Sequence, residues 1–358
     1  MFNMFKKKNI DTEPNNCQCE NVYHDSTLGD LNEGANTVSD RQVNVNVISR
    51  KQLKEEYKVG GVLDQEQNNN WKAWLYLAPV LILIAVFLIY PLINTIIISF
   101  LKDYNQAIGE MTEFTFDNYG IVLGLKRYNG ELETNFVNYC LPNTLIIVFV
   151  TVPISITIAL IISVLLNKIK WLQKTYQIVF FLPYVTNAIA VGMVFEVMFA
   201  EKGLVNYIFG SEINWIHGEN RWVSMVPLCI NIVWSSLPFK ILILLSGLQN
   251  VDKQYYNAAK IDAAPQWKVL TRITVPALSP QILYLMVTSF IGAFKEYTAV
   301  IGLFGQDAPM NIRTVVFYIY DYMNKHVSWA AAAAVILFII ILCFTFLQLW
   351  LSKKKVQY

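Results

Sequence analysis

The chain has 358 residues, 55% of them hydrophobic and 15% charged, with a formal net charge of +2. Soluble domains carry roughly one quarter charged residues, and here the apolar excess is gathered into long blocks. That composition excludes an ordinary soluble domain and points to a polytopic membrane protein, while the small net charge gives no footing for a nucleic-acid partner.

Residues 1–70 stand apart, being rich in Asn, Asp, Glu, Gln and Lys and poor in aromatics. Such a segment buries too little apolar surface to offset ordering, so a flexible cytoplasmic extension is expected there, with the folded domain over 71–355. Its start, MFNMFKKKNI, lacks the apolar run of a signal peptide. Cys17 and Cys19 form a C-x-C without a second pair at zinc spacing and read as incidental thiols, whereas Cys140, Cys229 and Cys343 read as small apolar fillers. His24, His217 and His326 are scattered, so no metal cluster or acid–base pair can be drawn from them. The chain contains neither a G-x-x-x-x-G-K-[ST] phosphate loop nor a G-x-S-x-G elbow. It is therefore expected to be no enzyme and to hold no cofactor or metal.

A helix needs about 20 apolar residues to cross the hydrocarbon core. Six stretches meet or approach that length: Trp74–Ser99, Asn143–Leu166, Tyr176–Phe199, Met225–Gly247, Gln281–Leu303 and Trp329–Leu351. Pro79, Pro91, Pro153 and Pro183 fall inside or beside them, which membrane bundles tolerate when neighbours satisfy the freed backbone groups. The fold expected is all-α with six transmembrane helices.

Orientation follows from the basic residues near the ends of the spans. Lys72, the group Lys168, Lys170 and Lys174, the group Lys253, Lys260, Lys268 and Arg272, and the run Lys353–Lys355 all fall on one side if the spans alternate. Lys102, Lys126, Arg127, Lys202, Arg221, Arg313 and Lys325 are spread over longer loops on the other. The first side is expected to be cytoplasmic, with both termini there. Trp71, Trp74, Trp329 and Trp350 suit interfacial belts, while Trp234 and Tyr297 lie deeper and are candidates to line a path.

Between the fourth and fifth spans lies a polar, helix-forming insertion at about 250–280. Asp252 is placed to cap a first short helix through Tyr255, Tyr256, Ala258, Ala259 and Asp262. Pro265 suits the first turn of a second, where Trp267, Leu270 and Ile273 give a short apolar face; Pro276 and Pro280 are expected to end it. The product is a compact helical hairpin.

These residues resemble the transmembrane permease subunits of binding-protein-dependent ABC importers, in the carbohydrate branch typified by the maltose permease. That family's signature runs E-A-A-x-x-D-G-A and then I-x-L-P. Here Asn257, Ala258, Ala259, Asp262, Ala263 and Ala264 are followed at the same spacing by Ile273 and Pro276. The first Glu is replaced by Asn257, which hydrogen-bonds but forms no ion pair, and the Gly by Ala263, for which a turn without positive φ is expected. Asn143-Thr144-Leu145, Phe181-Leu182-Pro183-Tyr184 and Leu248-Gln249 resemble further family motifs, and the similarity covers about residues 70–355. The resemblance implies that the hairpin is a coupling helix seated on a cytoplasmic ATPase. It also implies a second permease as a heterodimer partner, two ATPase subunits holding the ATP and magnesium, and an extracytoplasmic binding protein at the outer loops 101–141, 200–224 and 304–328. The setting it implies is the bacterial plasma membrane.

Ser289, Gly292, Ala293 and Glu296 recur at i, i+3, i+4, i+7 in the fifth span, and Ile232, Ser235, Ser236 and Phe239 repeat that spacing in the fourth. The resemblance places sugar contacts at these positions. Glu296 reads equally as a pathway carboxylate or as half of a structural pair with Lys295 or with another subunit. Lys240 is the weaker candidate for the pathway, with snorkelling to the cytoplasmic interface as its alternative. The reading reached is a permease subunit importing a carbohydrate; the alternative is an ATP-independent carrier or channel for a small polar solute, which internal repeats or a chain of buried ionisable groups would mark.

Overall fold

A computed structural model describes residues 70–104, 113–169, 178, 182, 184–218 and 220–352. The extension with Cys17, Cys19 and His24, the run Lys353–Lys355, and much of the expected third span, including Phe181 and Pro183, lie outside the described residues. The helical body falls within the unit Trp74–Tyr358.

In chain order the helices are α1 (Asn70–Ile84), α2 (Tyr90–Ser99), α3 (Asp117–Val122), α4 (Leu141–Lys168), α5 (Ala188–Met198), α6 (Leu204–Phe209), α7 (Arg221–Gln249), α8 (Lys253–Ile261), α9 (Gln266–Val269), α10 (Val275–Ala277), α11 (Ser279–Phe294), α12 (Thr298–Phe304), α13 (Val315–Tyr322) and α14 (Val327–Ser352). A two-residue hairpin, β1 (Arg127–Tyr128) and β2 (Glu131–Leu132), turns at Asn129 and Gly130, both at positive φ. Among the described residues four continuous helical stretches are long and apolar enough to cross a membrane: Trp74–Ser99, Phe136–Lys168, Arg221–Gln249 and Val327–Ser352. Gln266–Ala277 and Ser279–Phe294, bent by 70°, make a fifth if taken as one span. The protein is an all-α, multi-pass membrane protein.

Three prolines shape these helices in one way. A proline inside a helix lacks an N–H and its ring meets the carbonyl four residues back. Before Pro91, Pro142 and Pro276 the helix widens into a π turn, at Ala85–Ile89, Phe136–Cys140 and Leu270–Thr274. The residue preceding each proline bonds five back: Tyr90 to Ala85, Leu141 to Phe136 and Val275 to Leu270. Each widened turn lets the helical path run on through the proline, as π bulges do. Pro276 therefore does not end the second helix of the insertion. The chain turns at Leu278 instead, with Pro280 in the first turn of α11.

The core gathers around α4, which packs along α7 and also meets α11. Phe136, Val148, Val152, Leu244, Leu245, Leu285, Phe294 and Tyr318 are buried together there. Across the molecule α5 and α12 cross with Gly192 against Gly302. A Cβ on Gly192 would stand 2.5 Å from the Cα of Gly302, so only hydrogens fit at the crossing. Close backbone approach at small residues is a standard basis of helix association in lipid.

The expected fifth span does not run unbroken. α11 ends at Phe294, the chain unwinds over 295–297, and α12 resumes at Thr298. The loop 309–315 supports this break. Asn143, fully buried at the start of α4, donates through Nδ2 to the carbonyls of Asn311 (3.0 Å) and Arg313 (2.8 Å). Thr144 Oγ1 accepts the Val315 N–H at 3.0 Å and donates to Cys140 O at 2.8 Å. The neighbouring Thr314 hydroxyl then donates to the Glu296 carbonyl at 2.7 Å.

Two outcomes are expected from this packing. Asn143→Ala removes two buried hydrogen bonds and should lower stability by about 2–3 kcal/mol, read as a reduced midpoint in thermal unfolding of the detergent-solubilised protein. Gly302→Val forces α5 and α12 apart at a cost of about 3 kcal/mol. Cross-linking of cysteines introduced on those two helices should then fail while the Gly302→Ala variant retains part of it.

Candidate functional site

A cavity of about 410 Å³ opens between α7 and α11, with α4, α5 and α12 at its sides. All eight residues singled out on the two helix faces line it: Ile232, Ser235, Ser236 and Phe239 from α7, and Ser289, Gly292, Ala293 and Glu296 from α11 and the break after it. Helical periodicity brings the first seven to one side; Glu296 arrives there from outside the helix, because α11 stops two residues earlier. Gly292 leaves open space, since a Cβ built on it meets nothing within 4 Å. Tyr184 stacks on Phe239, with ring centroids 6.1 Å apart and planes inclined by 17°. The walls thus combine hydroxyls, one carboxylate, the Lys240 side chain and aromatic faces, a surface suited to a polar, hydroxyl-rich occupant.

The charged groups differ from expectation. Lys240 does not snorkel: it is 5% exposed, and its Nζ donates to Ser155 Oγ at 2.5 Å and Ser236 Oγ at 3.0 Å. The reason is local, because those hydroxyls meet the amine inside the bundle. Glu296 does not pair with Lys295, which is exposed; its Oε1 instead accepts the Ala299 N–H at 2.9 Å and so caps α12. Neither residue belongs to any ion pair among the described residues. Trp234 is about half exposed and Tyr297 stacks on Tyr320 with centroids 4.3 Å apart, so neither lines the cavity.

Sequence reasoning did not place Thr151, Asn231, Thr288 or Tyr184 in the cavity walls, and held Lys240 only as the weaker candidate. Polar side chains inside otherwise apolar helices were the available signal.

The insertion forms the expected hairpin. Asp252 Oδ1 accepts the Gln254 N–H at 2.9 Å and caps α8, and Pro265 immediately precedes α9. Asp262 closes α8, and Ala263 sits in the left-handed region at φ 47, contrary to the turn expected of an alanine there. The cause is the way α8 ends: Ala264 N bonds to Ala259 O at 2.9 Å and Ala263 N to Lys260 O at 3.1 Å, the paired closure that demands left-handed backbone at this position. The hairpin is braced by Tyr256 Oη to Thr274 Oγ1 at 3.3 Å and by Lys168 Nζ to Gln266 Oε1 at 2.8 Å. Tyr256, Ala259 and Ala263 border a groove of about 560 Å³ beside the end of α4. Asn257, Ala258, Asp262 and Pro276 are exposed and Ile273 is half-buried. Trp267, Ile261 and Tyr255 are turned outward, 72%, 86% and 62% exposed, leaving apolar side chains on the hairpin without cover from the other described residues.

Comparison with known proteins gives the family of the chain. A family model described as binding-protein-dependent transport system inner membrane component matches residues 144–357. The lactose transport system permease protein LacF of Rhizobium radiobacter is 30% identical over 319 residues, covering 86% of this chain and 98% of that protein. The arabinooligosaccharides transport system permease protein AraP of Bacillus subtilis (strain 168) is 30% identical over 289 residues, covering 78% and 88%. A chain in the crystal structure of a bacterial alginate ABC transporter, in complex with alginate pentasaccharide-bound periplasmic protein, is similar in fold. Its TM-score is 0.69 at 17% identity, over 82% of this chain and 98% of that one.

The strain at Ala263 yields a test. Ala263→Gly should make opening of the hairpin about 1 kcal/mol harder, because glycine adopts the left-handed conformation without a Cβ clash. Hydrogen exchange at the amides of residues 263 and 264 should slow accordingly, and Ala263→Val should speed it.

Proposed function

The chain belongs to the inner-membrane components of binding-protein-dependent transport systems, and from that premise we propose that its cavity is half of a translocation path for a carbohydrate. It is a permease subunit of an ABC importer; ATP hydrolysis belongs to a separate ATPase partner, and a binding protein delivers the substrate. Membership sets aside the ATP-independent carrier.

The observation that carries the carbohydrate reading is the convergence of eight residues from two helix faces on one cavity of hydroxyls, a carboxylate, the Lys240 side chain and aromatic rings. The names of LacF and AraP, which concern lactose and arabinooligosaccharides, support the same class of cargo. The cargo is a sugar, an oligosaccharide or a related polyol.

In the assembled transporter this chain pairs with a second permease and rests on two ATPase subunits, which hold the ATP and magnesium. Six membrane crossings, the third running through Tyr176–Phe199, put both termini in the cytoplasm, with residues 1–70 as an extension there. The hairpin at about 250–280 is the coupling element: Asn257, Asp262 and the outward Ile261 and Trp267 meet a groove of the ATPase, which supplies the cover that their apolar surfaces lack. The outer loops receive the binding protein. Nucleotide-driven closure of the ATPases moves the hairpin and rocks the helices between inward- and outward-facing states.

Uptake of labelled sugars by vesicles containing the assembled transporter tests this. Asp262→Lys should cut substrate-stimulated ATP hydrolysis roughly tenfold or more, as loss of an interface anchor does, with assembly intact. Gly292→Phe should abolish uptake by filling the cavity while leaving basal hydrolysis in place. Undiminished uptake in Gly292→Phe would remove the cavity from the path, and full coupling in Asp262→Lys would remove the hairpin from the interface.

A further inference from the structure

The cavity holds two ionisable side chains, and the fold treats them differently. Glu296 receives a backbone N–H from Ala299 at the start of α12. Lys240, 95% buried by its 5% exposure, is held only by two neutral hydroxyls, those of Ser155 and Ser236. Among the described residues no carboxylate stands within 4.0 Å of its amine. An ammonium has three N–H donors. Two are used on the serines, and the residue itself lines the cavity, so the third is left for an occupant. A buried cation with no carboxylate in direct contact is unfavourable. An occupant that brings an anion relieves that situation, and a neutral sugar does not.

Resting on the reading of this cavity as a carbohydrate path, we propose that Lys240 is a specificity-determining residue that receives an anionic group on the cargo. Carboxylate, phosphate and sulfonate share the chemistry it recognises: a compact negative charge with several acceptor oxygens. Ser155 on α4 and Ser236 one turn before Lys240 on α7 hold the amine, and Ser236 lines the cavity together with Lys240. Glu296, its carboxylate engaged by the start of α12, is left for hydroxyl groups of the same cargo. A merely structural lysine strapping α7 to α4 would affect stability alone and would show no preference among occupants.

The test is calorimetric titration of the transporter assembled with its partner subunits in nanodiscs. The probes are digalacturonate, glucose 6-phosphate and uncharged cellobiose. Wild type should bind at least one anionic probe roughly tenfold or more tighter than cellobiose, the scale of one charge-assisted hydrogen bond. Lys240→Gln should erase that preference while keeping cellobiose binding, and Lys240→Arg should retain it. Digalacturonate against glucose 6-phosphate separates a uronate cargo from a phosphorylated one. Equal binding of charged and uncharged probes by wild type, or a preference that survives Lys240→Gln, overturns the proposal and leaves the cavity reading standing. Binding that survives Gly292→Phe, or no binding of any probe by wild type, overturns the cavity reading and the proposal with it. If Lys240→Gln fails to assemble, the wild-type ratio and the Lys240→Arg variant decide.

Discussion

Unwound backbone inside a bilayer must find hydrogen-bond partners within the protein, and in this chain that requirement falls on 295–297. The solution uses groups from three places. Lys295 N and Glu296 N bond back to Gly292 O and Ala293 O at 3.0 and 3.3 Å, Thr314 donates to the Glu296 carbonyl, and the Glu296 side chain takes the Ala299 N–H. Thr314 is available because Asn143 and Thr144 hold the backbone on either side of it. Without that support the break would leave polar groups unpaired in an apolar setting, each at a cost of several kcal/mol. The break borders the cavity, since Glu296 lines its wall from the unwound segment.

This explains why one part of the fold was legible in the sequence and another was not. The apolar blocks announce Trp74–Ser99 and the helices α4, α7 and α14 through length and composition alone. The break in the fifth block carries no local mark: Phe294, Lys295, Glu296 and Tyr297 contain neither Gly nor Pro, and the groups that stabilise the break lie about 18 and 150 residues away in the chain. The prolines were visible but ambiguous. Pro276 stops an ordinary helix, yet five residues of widened helix before it remove the clash with the Arg272 carbonyl, and the same device serves Pro91 and Pro142.

The candidate site shows a similar division. Period alone brings Ser235, Ser236 and Phe239 together, and likewise Ser289, Gly292 and Ala293, because side chains three and four apart share a helix face. Lys240 defeats the usual expectation for a lysine near a membrane interface, since a hydroxyl four residues earlier and another across the helix pair offer partners that snorkelling would forgo. Only the second of these is long-range, so the Ser236–Lys240 spacing was a readable hint. Ala263 is the opposite case. A left-handed alanine is unfavourable by about 1 kcal/mol, and it is tolerated because closing α8 satisfies two carbonyls that the helix end would otherwise expose.

α11 joins the two regions of interest. It is 16 residues long, about 24 Å at 1.5 Å per residue. At one end it meets the hairpin across the 70° bend, and toward the other it presents Ser289, Gly292 and Ala293 to the cavity. The bend sits against α7 where Gly247 leaves no spare room: a Cβ there would stand 2.8 Å from Leu278 Cδ2. The hairpin is tied internally by Tyr256 and Thr274 and to α4 by Lys168 and Gln266. In the proposed cycle a force on the hairpin therefore reaches the cavity through one short rigid helix pivoting at Leu278. Packing of this kind has discrete arrangements rather than continuous ones. Gly247 beside Leu278 and the Gly192–Gly302 crossing are the places where the helices approach too closely to admit a Cβ, so any tilt in the proposed cycle has to pass through these contacts.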